Sequence, residues 1–152
     1  HWVADENADG TDVPYVDIQT VDLSSDPEVA KYADKIKQVK VTKITYAVTN
    51  YNSEPHNSAV IFNNGVASFL ALGATAPTVS VPYGAAATGV NLQTATAETE
   101  LQIDAAELKE LADTFKADKQ LVYKSEGTLS VVPVSFTVVS KFYVTITANP
   151  LD

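Results

Sequence analysis

The sequence predicts an all-β protein, an antiparallel β-sandwich of immunoglobulin-like or jelly-roll-like kind with about seven to nine strands and two short helices. Three observations lead there. Apolar and β-branched residues alternate over short runs from residue 15 to the end, most cleanly at 134–148, where Val134, Phe136, Val138, Phe142, Val144 and Ile146 share one face with Ser140 among them. Only two stretches carry helix-start signals. The 152 residues contain no Cys, so the core must hold itself without disulfides, and the length suits a single domain.

The elements follow in order. Tyr15 to Leu23, after Pro14, reads as a first strand. Ser25-Asp26-Pro27-Glu28 reads as a helix start, with Ser25 as cap, Glu28 completing a capping box and Pro27 in the first turn. Val29, Tyr32, Ala33 and Ile36 continue it at helical spacing. From Val39 to Thr49 the pattern is extended. Ile44, Tyr46 and Val48 share a face while Val39 and Val41 are out of phase, which predicts a bulge near Thr42-Lys43. Residues 50–57 read as a loop. Asn64-Gly65, between Val60-Ile61-Phe62 and Val66 to Phe69, predicts a tight type I′ hairpin.

Val79 to Tyr83 alternates and carries Pro82, which places it at a sheet edge or strand end. Val90–Gln93 and Thr99–Ile103 are further strands. Asp104 with Glu107 forms a capping box for a second helix whose stripe is Leu108, Leu111, Ala112 and Phe115. Two long strands, 120–132 and 134–148, close the chain around Val132-Pro133.

Charge divides the molecule unevenly. The net charge is −9, with nineteen acids against ten cations, every one of them Lys. Residues 1–30 hold eight acids and no Lys, and between Ile44 and Ala97 the single charged side chain is Glu54. The division predicts an acidic N-terminal segment, 1–13, on a nearly neutral sandwich, 14–152. An acidic chain without Arg is unsuited to nucleic acid or anionic membrane surfaces, and no run approaches the roughly 18 apolar residues of a membrane helix. A chain beginning His1-Trp2-Val3 reads as a processed product, with any signal or lipid anchor upstream.

Two constellations carry chemistry. Asp5, Asn7 and Asp9, followed by Gly10, Thr11 and Asp12, put oxygen ligands at alternate positions before a glycine turn, the start of a calcium loop. The segment resembles EF-hand loops and the calcium repeats of thrombospondin type 3. It departs from an EF-hand at the twelfth position, which is Val16, with Asp17 one residue late. The same composition also reads as a solvated chain end. His1 and His56, the two histidines, resemble the copper brace of lytic polysaccharide monooxygenases and of CopC-type carriers, which would use the terminal amine and both imidazoles. A processing remnant and a loop histidine are the plainer account of them. No serine triad, phosphate loop or convincing carboxylate pair stands out; Glu98 and Glu100 share a strand face, and Glu107 and Glu110 a helix face. The strand tyrosines read as core-edge residues, or as a sugar-binding face.

The stretch from Asp22 to Tyr46, the Asp104-Ala-Ala-Glu-Leu helix, and Gly127 to Phe136 with the closing Phe-Tyr-Val-Thr-Ile-Thr-Ala resemble exported β-sandwich proteins of flavobacteria and related Bacteroidetes, many of them lipoproteins. That resemblance spans about residues 15–148 and implies an extracellular or cell-surface setting without implying an activity. The sequence thus points to a non-enzymatic exported protein that meets other protein chains or a surface, with adhesion or self-assembly as a structural or fibre subunit as its work. Tyr15, Val16, Asp17, Ile18 and Val21 are its expected contact strand. Calcium is the expected cofactor, at Asp5, Asn7, Asp9, Thr11, Asp12 and Asp17; copper at His1 and His56, or a carbohydrate-binding module, are the alternatives.

Overall fold

The computed structural model describes residues 2–3, 13–52, 59–84, 89–130 and 134–148. Two antiparallel sheets face each other across one core, as the alternation predicts. The strands are β1 (Trp2–Val3), β2 (Val13–Asp22), β3 (Ile36–Asn52), β4 (Ile61–Leu70), β5 (Val79–Pro82), β6 (Val90–Asn91), β7 (Thr99–Glu100), β8 (Gln120–Leu129) and β9 (Val134–Ala148). One sheet runs β1-β9-β3-β7; the other runs β2-β8-β4-β5, with β6 also on β4. The chain crosses between sheets after β8, so β8 and β9 have different neighbours. Pro82 ends β5 at a sheet edge, as its missing N–H requires.

The long β3–β9 ladder contains the bulge that the phase change at Thr42-Lys43 predicts. Val41 pairs with Val144 and Lys43 with Tyr143, leaving Thr42 as the extra residue. Two more irregularities, at Ile36/Gln38 and Thr49/Asn52, also insert residues into β3, so β9 stays regular throughout. The strand continues to Asn52, past the loop start expected at residue 50.

The hairpin expected at Asn64-Gly65 does not form. β4 runs straight through the pair, with Asn63 opposite Thr128 and Val66 opposite Glu126, so residues 64 and 65 make a bulge facing Gly127. A type I′ turn needs positive φ at both residues, and here only Asn64 has it, at 52°. The reason lies in the core. The Phe62 ring lies where a Cβ on Gly65 would be, and a Cβ on Gly127 would stand 2.7 Å from its Cε1. Both glycines are room for that ring, which packs edge-on against Tyr15 and Tyr83 at 5.7 and 5.8 Å between centroids.

The helices cover what the sheets leave open. Helix α1 spans Pro27–Lys31 with Pro27 in its first turn, but Asp26, not Ser25, is its cap and accepts from the Glu28 N–H at 2.8 Å. Asp is a strong cap, and Pro27 needs a non-helical residue directly before it. Asp22 instead caps the 3-10 turn at Leu23–Ser25. The helical spacing also fails to reach Ile36, which opens β3 after a 3-10 turn at Ala33–Lys35. Helix α2, Ala105–Asp118, has the expected capping box: the Glu107 N–H donates to Asp104 Oδ1 at 2.8 Å, and Asp104 N–H donates to Glu107 Oε1 at 3.4 Å. Its Leu111 and Phe115 are fully buried, with Phe115 meeting Phe142 at 5.8 Å. It packs on β3 with β5 and β8 alongside, closing one flank of the sandwich. No helix among the described residues is long and apolar enough to cross a membrane.

The Phe62 packing predicts that Gly127→Ala destabilises the fold by about 1–3 kcal/mol, read as a lower urea midpoint. Pairing it with Phe62→Leu should give less than the sum of the two single losses, because both act on one space.

Candidate functional site

Among the described residues, no helix covers the flank opposite α2. There β2 and β9, each the outer long strand of its sheet, border an open cleft of about 570 Å³, a size within the range of ligand pockets. Period-two alternation along β2 turns Tyr15, Asp17, Gln19 and Val21 inward, and turns Val16 and Ile18 outward, where they are 50% and 59% exposed. The opposite wall is the inner face of β9: Phe136, Val138, Ser140 and Phe142. Tyr123 and Ser125 of β8 line it as well. Of the five expected contact residues, Val16 and Ile18 are thus open to solvent, Asp17 and Val21 are half-buried in the cleft, and Tyr15 is a core residue at 4% exposure.

The polar groups of the cleft are few and specific. Gln19 Nε2 donates to both carboxylate oxygens of Asp17 at 3.3 Å. No lysine among the described residues lies within ion-pair distance of that carboxylate; the ion pairs there are Lys109–Asp113, Lys124–Glu126 and Lys141–Glu98. Ser140 Oγ, on the other wall, is buried without a hydrogen-bond partner.

Behind the cleft, Tyr83 OH bonds to Tyr123 OH and to Ser125 Oγ, the latter at 2.6 Å. Burial raises the pKa of Tyr83, with Tyr123 adding to it. Burial likewise raises Tyr15, seconded by the charge of Asp17, and raises Tyr46, seconded by Tyr123. Burial thus favours the neutral form of all three phenols, and the Tyr83 hydroxyl is hydrogen-bonded in that form.

A second polar group lies on the outer face of the β9-β3-β7 sheet. Glu98 accepts from Thr45 Oγ1 at 2.7 Å and from Tyr143 OH, with Lys141 at 3.8 Å. The Lys43 ammonium sits 4.5 Å from the centre of the Tyr143 ring. The donors from Tyr143 and Thr45 hold the Glu98 carboxyl below its usual pKa.

Asp5, Asn7, Asp9, Thr11 and Asp12 of the expected calcium loop, and His1 and His56 of the copper alternative, lie outside the described residues. Asp17, the last of that calcium set, points into the cleft beside Gln19. No group of three or more metal-ligating side chains occurs among the described residues. Comparison with protein-family models, with curated proteins and with solved structures finds no match to this chain.

The buried phenols predict alkaline instability. Their folded-state pKa values lie above the roughly 10 of a free tyrosine, so the unfolded chain loses these protons first. Their contribution to stability is complete below about pH 10 and falls as pH rises further. Denaturation midpoints should therefore drop above about pH 10, and less steeply in Tyr83→Phe.

Proposed function

We propose that the protein is a non-enzymatic, exported contact module that joins a second copy of itself through the outer edge of β9. One observation carries the reading: the inner face of β9 is only half-covered. Val138, Phe142, Val144 and Ile146 are partly exposed, whereas Ile44, Tyr46 and Val48 on neighbouring β3 are at most 5% exposed. A sandwich whose edge strand leaves such side chains uncovered gains by adding a strand beside it.

The edge has the character of an acceptor. From Thr137 onward no other described strand pairs with it on the side away from β3, while β1 already pairs antiparallel with Val134 and Ser135 at its start. Natural edges are usually guarded by charge, proline or bulges. β9 carries one charge, Lys141, no proline, and none of the three bulges of its ladder. A two-fold antiparallel pairing centred on Phe142 places Lys141 opposite Tyr143 of the copy, so no like charges face each other. The exported setting rests on the sequence resemblance, and the contact strand β2, with Val16 and Ile18 outward, offers the neighbouring apolar surface.

Light scattering during size exclusion tests this reading. The expected result is a dimer whose fraction rises with concentration, and which Tyr143→Lys weakens at least tenfold by setting lysine against lysine. A strict monomer up to about millimolar protein, with or without calcium, would overturn it.

A further inference from the structure

We propose that the groove between β3 and α2 is a docking site for an acidic, extended segment of a different partner polypeptide, received as an added strand. This surface is separate from the β9 edge. β9 pairs with one side of β3 from Ile36 to Asn52, but on the other side β7 meets it only at Thr45 and Tyr46. Two backbone bonds flank that contact: Leu101 N–H donates to the Ile44 carbonyl, and Val48 N–H donates to that of Ala95. From Gln38 to Thr42 no strand among the described residues pairs on this side. A groove of about 690 Å³ opens there, lined by all five residues of that stretch and by Ala105, Leu108, Lys109, Ala112, Asp113 and Lys116 of α2. Consecutive strand residues alternate between faces, so a groove that touches all five runs along the backbone edge. The spacing of three and four on α2 is one helix face.

The two walls suit a short strand in length, since five strand residues and the rise of α2 from Ala105 to Lys116 each cover roughly 17 Å. Val39 and Val41 turn inward, at 8% and 4% exposure, and α2 adds Leu108 and Ala112, so one face of an incoming strand meets apolar wall. Gln38, Lys40 and Thr42 alternate with the valines on the exposed face. The charge is one-sided: Lys40, Lys109 and Lys116 stand against one carboxylate, Asp113, which Lys109 already holds at 2.9 Å. Lys40 and Lys116 enter no ion pair among the described residues. A lysine on a strand edge ordinarily guards it against pairing. Lysines on both walls make that guard selective, repelling a basic strand and attracting an acidic one. Nucleic acid would meet the net charge of −9 of the whole chain, and a small anion would leave the strand edge and the apolar wall unmatched.

The probe is the peptide acetyl-Glu-Val-Glu-Val-Glu-Val-amide, titrated into the whole chain by calorimetry. The expected result is saturable binding that weakens at least tenfold in the double variant Lys40→Glu with Lys116→Glu, and at least tenfold when lysine replaces every glutamate of the peptide. Alternate N–H groups of a strand point to one side, so of two peptides, N-methylated at the valines or at the glutamates, one is expected to lose binding and the other to keep it. Both lysines are exposed, so the variant should keep its thermal midpoint, and the peptide changes leave the protein untouched. Absence of saturable binding up to millimolar peptide, equal binding by the double variant, equal binding of the lysine peptide, or equal binding of the two N-methylated peptides would overturn the site. Tighter binding of acetyl-Ala-Asp-Glu-Asn-Ala-Asp-Gly-Thr-Asp-amide, residues 4–12 of this chain, would make the occupant a second copy and overturn the assignment to a different partner.

Discussion

The architecture depends on one packing constraint, the seat of the Phe62 ring between backbone segments that carry no Cβ. Gly65 and Gly127 let β4 and β8 pass beside the ring, and Tyr15 and Tyr83 close around its edges. Through Tyr15 this contact fixes the inward phase of β2, and so decides that Asp17 and Gln19 face the cleft while Val16 and Ile18 face solvent. Through Tyr83 it is tied to the hydroxyls of Tyr123 and Ser125, the hydrogen-bonded knot between β5 and β8. The open flank is therefore shaped by a ring that does not itself line it.

The two flanks of the sandwich contrast in how they are closed. On one side α2 inserts Leu111 and Phe115 between the sheets, and Phe115 reaches Phe142. On the other side β2 and β9 border a cleft with no described helix between them. Phe142 takes part in both environments, since it meets Phe69, Phe115 and Tyr123 while also lining the cleft. The boundary between core and surface thus runs along β9, and the alternation of its sequence continues unchanged across it.

This continuity explains what was legible in the residues and what was not. Signals that depend on near neighbours were readable: the capping box of Asp104 and Glu107, the phase change at Thr42-Lys43, and Pro82 at an edge. Asn64-Gly65 was misleading because its local preference for a turn yields to Phe62 and to Gly127, a partner far away in sequence. Ser25 and Asp26 are both good caps, and only the position of Pro27 separates them. At the site, the β2 wall was visible as a strand next to an acidic segment. The β9 wall was hidden because Val138 and Phe142 look like any core face, and Ser140 within that run was the one local sign that the face is not all interior.

The pairing pattern also sets the order in which the molecule can be built. Both long ladders are non-local: β2 must find β8, and β3 must find β9, whose last residue opposite Ile36 is Ala148. A chain emerging from its N-terminus therefore holds β3, the strand at the centre of its sheet, without its main partner until all of β4 to β8 has followed. Contacts of such wide sequence separation slow folding, and loss of residues 141–148 would remove most of one sheet's longest ladder, not a dispensable tail.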